Sequence, residues 1–72
     1  MTLKDLKVGQ TGVIKKIGTV GALKQRFNAM GLTKGVEVKV VKVATLGDPI
    51  ELEVRGYSLS VRKSDAENIE LA

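Results

Sequence analysis

The sequence predicts a mainly β fold: a small, partly open barrel of about five antiparallel strands carrying one short α-helix. Three observations predict it. Residues 50–61 pair with themselves as a hairpin whose apolar residues fall on one face. Residues 36–44 alternate apolar and polar residues but slip by one position at Val40-Val41. Residues 26–35 read as a helix end, a glycine stop and an immediate entry into a strand. The 72 residues form one domain, 1–72, with a single small core.

The opening, Thr2 to Val8, has apolar residues at 3, 6 and 8, which suits one short helical turn packed on the core. Gly9 and Gly12 are expected to bracket a turn. Thr11 to Ile17 follows as a strand, with Val13, Lys15 and Ile17 on one face and Ile14 on the other.

Gly18 and Gly21 flank Thr19, the expected N-cap of a helix from Val20 to Met30. Val20, Leu23, Phe27 and Met30 make one buried stripe, while Lys24, Gln25 and Asn28 point outward. Gly21 is read as allowing close approach to a strand. With Met30 as C-cap, Gly31 is the left-handed residue beyond it. Leu32 and Phe27 then form the apolar contact of a Schellman stop.

The slip at Val40-Val41 predicts a bulge or sharp coil that carries one strand from one sheet face to another, as the corners of small barrels require. Thr45 to Pro49 is a turn by composition. The Arg55-Gly56 loop then places Val54 opposite Tyr57, Leu52 opposite Leu59 and Ile50 opposite Val61. Tyr57 is thereby assigned to the core face, and Glu51 and Glu53 to the outer one. Lys63 to Asn68 is a helical turn with Ser64 as N-cap and Glu67 as its capping-box partner, and Ile69 to Leu71 is a last short strand. No connection after the helix is long enough for a parallel crossover.

Composition excludes several function classes. The chain has no His and no Cys, so the usual ligands of zinc, copper and non-haem iron are absent, and no cofactor is expected. Met1 to Val8 carries Lys4, Asp5 and Lys7, unlike a signal peptide, and no apolar run approaches the roughly 20 residues of a membrane helix. A cytoplasmic protein that does not insert into membranes is expected. Glu51 and Glu53 lie two residues apart, but no nucleophile or cleft accompanies them. They are read as a charged outer face that discourages edge pairing, and the chain as no enzyme.

The net charge of +4 admits a second reading, a basic nucleic-acid-binding barrel, with Lys15, Lys16, Lys39 and Lys42 as a basic stripe. Exposed aromatics for base stacking are lacking, because Tyr57 is assigned to the core. No glycine belongs to a phosphate-cradling loop followed by Lys and Ser/Thr, so the chain is not read as a nucleotide-binding protein.

Taken in order, Met30-Gly31-Leu32, Gly35, the valine-rich strand, Gly47-Asp48-Pro49, Gly56, and Arg62 with Ala66 and Ile69 resemble the FeoA family across residues 3 to 71. The resemblance implies an SH3-like barrel. It also implies a small cytosolic accessory protein of ferrous iron transport, whose partner is the cytosolic part of a FeoB-type GTP-binding membrane transporter. Self-association through strand edges is a further expectation.

Four residues are candidate partner contacts. Leu46 lies at a loop tip outside both strand patterns, where it either tucks under the barrel or projects as an anchor. Asp48, before Pro49, either bonds backbone amides of a turn or contributes to a partner contact. Arg26 either complements the negative helix end or takes part in recognition. Met30 lies at that same helix end.

Overall fold

The computed structural model describes residues 1–18 and 21–72. The elements in chain order are strand β1 (Thr11–Ile17), helix α1 (Ala22–Ala29), strands β2 (Glu37–Val43), β3 (Ile50–Val54) and β4 (Tyr57–Val61), helix α2 (Lys63–Ala66) and strand β5 (Ile69–Leu71). Single 3-10 turns occupy Leu3–Asp5 and Thr45–Gly47. The strands make one antiparallel sheet in the order β4-β3-β2-β1-β5.

That order closes most of a barrel because β1 and β2 each divide their pairing. The first half of β1 pairs with β2, from Thr11 opposite Lys39 to Val13 opposite Glu37. Its second half pairs with β5, from Ile14 opposite Leu71 to Ile17 opposite Ile69. Strand β2 bends where its alternation slips: the register with β3 shifts between Val40 and Lys42, leaving Val41 as the extra residue. A second bulge lies between Ile14 and Lys16 in β1. It corrects the expected facing of that strand. Lys15 and Lys16 are both exposed, and Ile17 returns to the core side, half-buried, instead of sharing a face with Val13 and Lys15.

The inward residues form one apolar core. Leu3, Phe27, Leu32, Val38, Val40, Leu52, Val54 and Ile69 are almost fully buried, and no polar or charged side chain among the described residues is buried with them. Gly12 does not belong to a turn. It lies within β1, where an added Cβ would come within 2.8 Å of the Leu71 side chain, so the missing side chain lets β1 approach β5.

Helix α1 is shorter than expected at its start. Thr19 and Val20 lie outside the described residues, and Gly21, at φ 75°, occupies the N-cap. Among the described residues no non-adjacent neighbour lies within 4 Å of where a Cβ on Gly21 would be, so close packing does not account for it. Phe27 is buried, with Leu23 and Met30 packed partly against the core. The stop is the Schellman motif: Leu32 N–H donates to the Phe27 carbonyl at 2.8 Å and Gly31 N–H to the Asn28 carbonyl at 3.1 Å, with Gly31 at φ 84°.

The hairpin register agrees at all three apolar pairs. Arg55 and Gly56 take φ values of 50° and 86°, the left-handed pair that a type I′ turn requires. Ser64 is not the cap of α2. Arg62 occupies the N-cap position without a side-chain bond, and the capping oxygen comes from Asp48 instead.

Candidate docking surface

The four candidate residues lie on two segments that the fold brings to one region. The loop between β2 and β3 carries Leu46 and Asp48. Leu46 is 94% exposed, at φ 70° and ψ 12°, so it projects. The loop beneath it is bonded at both ends: Ala44 N–H donates to the Pro49 carbonyl at 3.1 Å and Gly47 N–H to the Ala44 carbonyl at 2.8 Å. Asp48 Oδ1 accepts the Lys63 N–H at 3.1 Å, which ties the loop to the first turn of α2.

The other two candidates come from the end of α1. Arg26, in its last turn, and Met30, its C-cap, line a cleft of about 220 Å³ together with Pro49, Ser60, Arg62 and Asp65. Pro49 follows Asp48 directly, so the cleft adjoins the loop. Sequence reasoning missed Arg62 and Asp65, which line this cleft from the N-cap and first turn of α2. It also misplaced Tyr57. That side chain is 45% exposed rather than buried, and its hydroxyl donates to the Met30 carbonyl. The bond joins the rim of β4 to the end of α1 and satisfies a carbonyl that a helix end leaves open. The position of Tyr57 next to the hairpin turn, at the tip of its strand, was the available signal.

The two sheet edges differ. At β5, Leu71 N–H donates to the Met1 carbonyl at 2.8 Å and Thr2 forms a bridge with Glu70, so the N-terminal segment covers that edge. At β4, the two-residue loop closes on the bonded pair Val54 and Tyr57. The backbone groups of Ser58 and Ser60 therefore point away from β3, and they have no backbone partner among the described residues.

The expected basic stripe is broken up. Lys39 lies opposite Glu53 and Lys42 opposite Glu51 across the β2–β3 pair, while Lys15 and Lys16 lie on another part of the barrel. No group of three or more His, Cys, Asp or Glu placed to hold a metal ion occurs among the described residues. No helix among them is long and apolar enough to cross a membrane.

Comparison with known proteins gives a consistent picture. A family model described as the FeoA domain matches residues 1–72. A fusion of Fe(2+) transport protein A with the Fe(2+) transporter FeoB from Porphyromonas gingivalis is 34% identical over 71 residues, which are 99% of this chain and 8% of that protein. The solution structure of iron(II) transport protein A from Clostridium thermocellum superposes with a TM-score of 0.95 at 35% identity, covering 99% of this chain and 44% of that one. The zinc-bound FeoA of Stenotrophomonas maltophilia, described as a prokaryotic SH3 domain protein and a candidate activating factor of ferrous iron transport, gives 0.86 at 25% identity over 100% of this chain and 89% of that one. The chain thus spans less than half the length of the first two.

Proposed function

This chain belongs to the FeoA family, and from that premise we propose that it is a cytosolic accessory module of ferrous iron transport that docks on the cytosolic part of a FeoB-type transporter. The observation that carries the reading is the Porphyromonas gingivalis relative, in which a homologous domain and the transporter are one polypeptide. A fusion of this kind supports contact between such a domain and such a transporter.

The module acts by contact rather than by catalysis. The docking surface is the projecting Leu46 loop, the Arg26 and Met30 cleft beside it, and the open edge of β4. Burying Leu46 on a partner contributes roughly 1.5–3 kcal/mol. That is too little to hold a complex alone, so the cleft and the edge contribute the remaining contact. An extended partner segment added to β4 would satisfy the outward amides and carbonyls of Ser58 and Ser60. The same edge, rather than β5, serves any self-association.

Titration of the transporter's soluble cytosolic region with this protein tests the reading. Saturable binding by the unmodified chain, weakened at least roughly tenfold by Leu46→Asp, is expected from the loss of one such anchor. No binding by the unmodified chain, with or without nucleotide on the transporter, overturns it.

A further inference from the structure

A second cavity shares no lining residue with the cleft at the end of α1. It is an open depression of about 590 Å³ lined by Lys15, Lys16, Ile17, Lys24, Asn28 and Lys34. Three separate segments supply the lysines: the bulged part of β1, the helix α1, and the connection from α1 to β2. The bulge itself is responsible for two of them. In a regular strand Lys15 and Lys16 would face opposite sides; the extra residue turns both outward and sends Ile17 back toward the core.

No carboxylate lines the cavity. Among the described residues the one ion pair is Lys4 with Glu67 at 3.2 Å, so none of the four lysines is within ion-pair distance of an acid. Lys16 stands at the border, opposite Glu70 across the β1–β5 pair, and lines a neighbouring depression as well. Lys15 is the unpaired residue of the bulge, and Lys24 and Lys34 lie outside the strands. Lys39 and Lys42 form the contrast, because each has a glutamate directly opposite. Lysines from three segments thus border one concavity, and such a concentration of positive charge favours an anion there.

We propose that this cavity binds a small, multiply charged phosphate compound. Lysine is a compact point charge that suits phosphate without demanding the planar fork of arginine. The volume falls within the roughly 300–1,000 Å³ of small-molecule pockets. The site uses side chains rather than a glycine-rich loop, so no motif announces it. It shares no lining residue with the Leu46 loop and does not depend on any transporter.

Calorimetric titration of the whole chain with inorganic pyrophosphate tests this, with 15N-1H spectra following the amides of Lys15, Lys24, Asn28 and Lys34. Saturable one-to-one binding that weakens with salt is expected. The double variant Lys24→Ala/Lys34→Ala should lose affinity by roughly tenfold or more. Lys39→Ala/Lys42→Ala removes the same charge elsewhere and should retain affinity. Both pairs lie on exposed positions, and the spectra report folding of each variant. Equal loss in the two double variants, tighter binding of a glutamate hexapeptide than of pyrophosphate, binding to phosphatidylglycerol vesicles without binding of pyrophosphate, or no binding at all would each overturn the proposal.

Discussion

Asp48 Oδ1 accepts the backbone N–H of Lys63 at 3.1 Å, across fifteen residues of chain. One carboxylate thus caps α2 and anchors the loop on which Leu46 is displayed. Stability and docking meet at this contact.

Replacing Asp48 separates the two roles. Asp48→Ala should destabilise the fold by about 1 kcal/mol, the usual effect of losing a capping oxygen, and Asp48→Asn by much less. Urea denaturation measures both. The alanine variant should also bind the transporter more weakly than its stability loss explains, because the freed loop must be ordered again on docking.

Tyr57 and Gly31 should be coupled. Tyr57→Phe removes the bond to the Met30 carbonyl and should cost roughly 0.5–1.5 kcal/mol. Gly31→Ala introduces a Cβ at φ 84°, a strain of roughly 1–2 kcal/mol, and that Cβ collides with the Tyr57 hydroxyl. In the Tyr57→Phe background the collision disappears and the backbone strain persists. A double-mutant cycle should therefore give a non-additive result, with the double variant more stable than the sum of the singles implies.

Two leucines on neighbouring segments should behave oppositely. Leu52 is fully buried, and Leu52→Ala should lower stability by about 2–5 kcal/mol. Leu46 is almost fully exposed, and Leu46→Ala should change stability by no more than about 0.5 kcal/mol while weakening the transporter complex. Thermal unfolding and binding assays on the same two proteins compare the effects.

Asp5 supplies a pH prediction. The Thr2 N–H donates to its carboxylate at 2.9 Å and holds its pKa below the ordinary aspartate value. A depressed folded value means that the unfolded chain takes up the proton first as pH falls. The contribution is present above the ordinary carboxylate range and is lost as pH drops through the folded value. In a side-chain carboxyl NMR titration, Asp5 should titrate at lower pH than an ordinary exposed aspartate, and Thr2→Pro, which removes the N–H, should reduce the difference.

Much of the fold was legible because local signals agreed. The hairpin register followed from the alternation on either side of Arg55-Gly56, and the helix stop from the spacing of Phe27, Gly31 and Leu32. The β2 bulge showed as a slip between two valines. The β1 bulge gave no such sign, since two adjacent lysines carry no apolar phase to interrupt. Ser64 and Glu67 had the spacing of a local cap, but a distant aspartate took the place, which only tertiary packing reveals. Leu46 could be read either as tucked or as projecting, and the fold decides for projection. The convergence of Arg26 and Met30 with Arg62 and Asp65 joins segments more than thirty residues apart, a relationship that sequence spacing does not carry.

The most direct test of the account is a 15N-1H titration of this chain with the cytosolic region of the transporter. The docking surface predicts shift changes or line broadening concentrated at Thr45 to Gly47, at Arg26, Phe27 and Met30, and along Ser58 to Ser60. A spectrum unchanged at saturating partner, or changes confined to Lys4, Glu67 and Glu70, would contradict it.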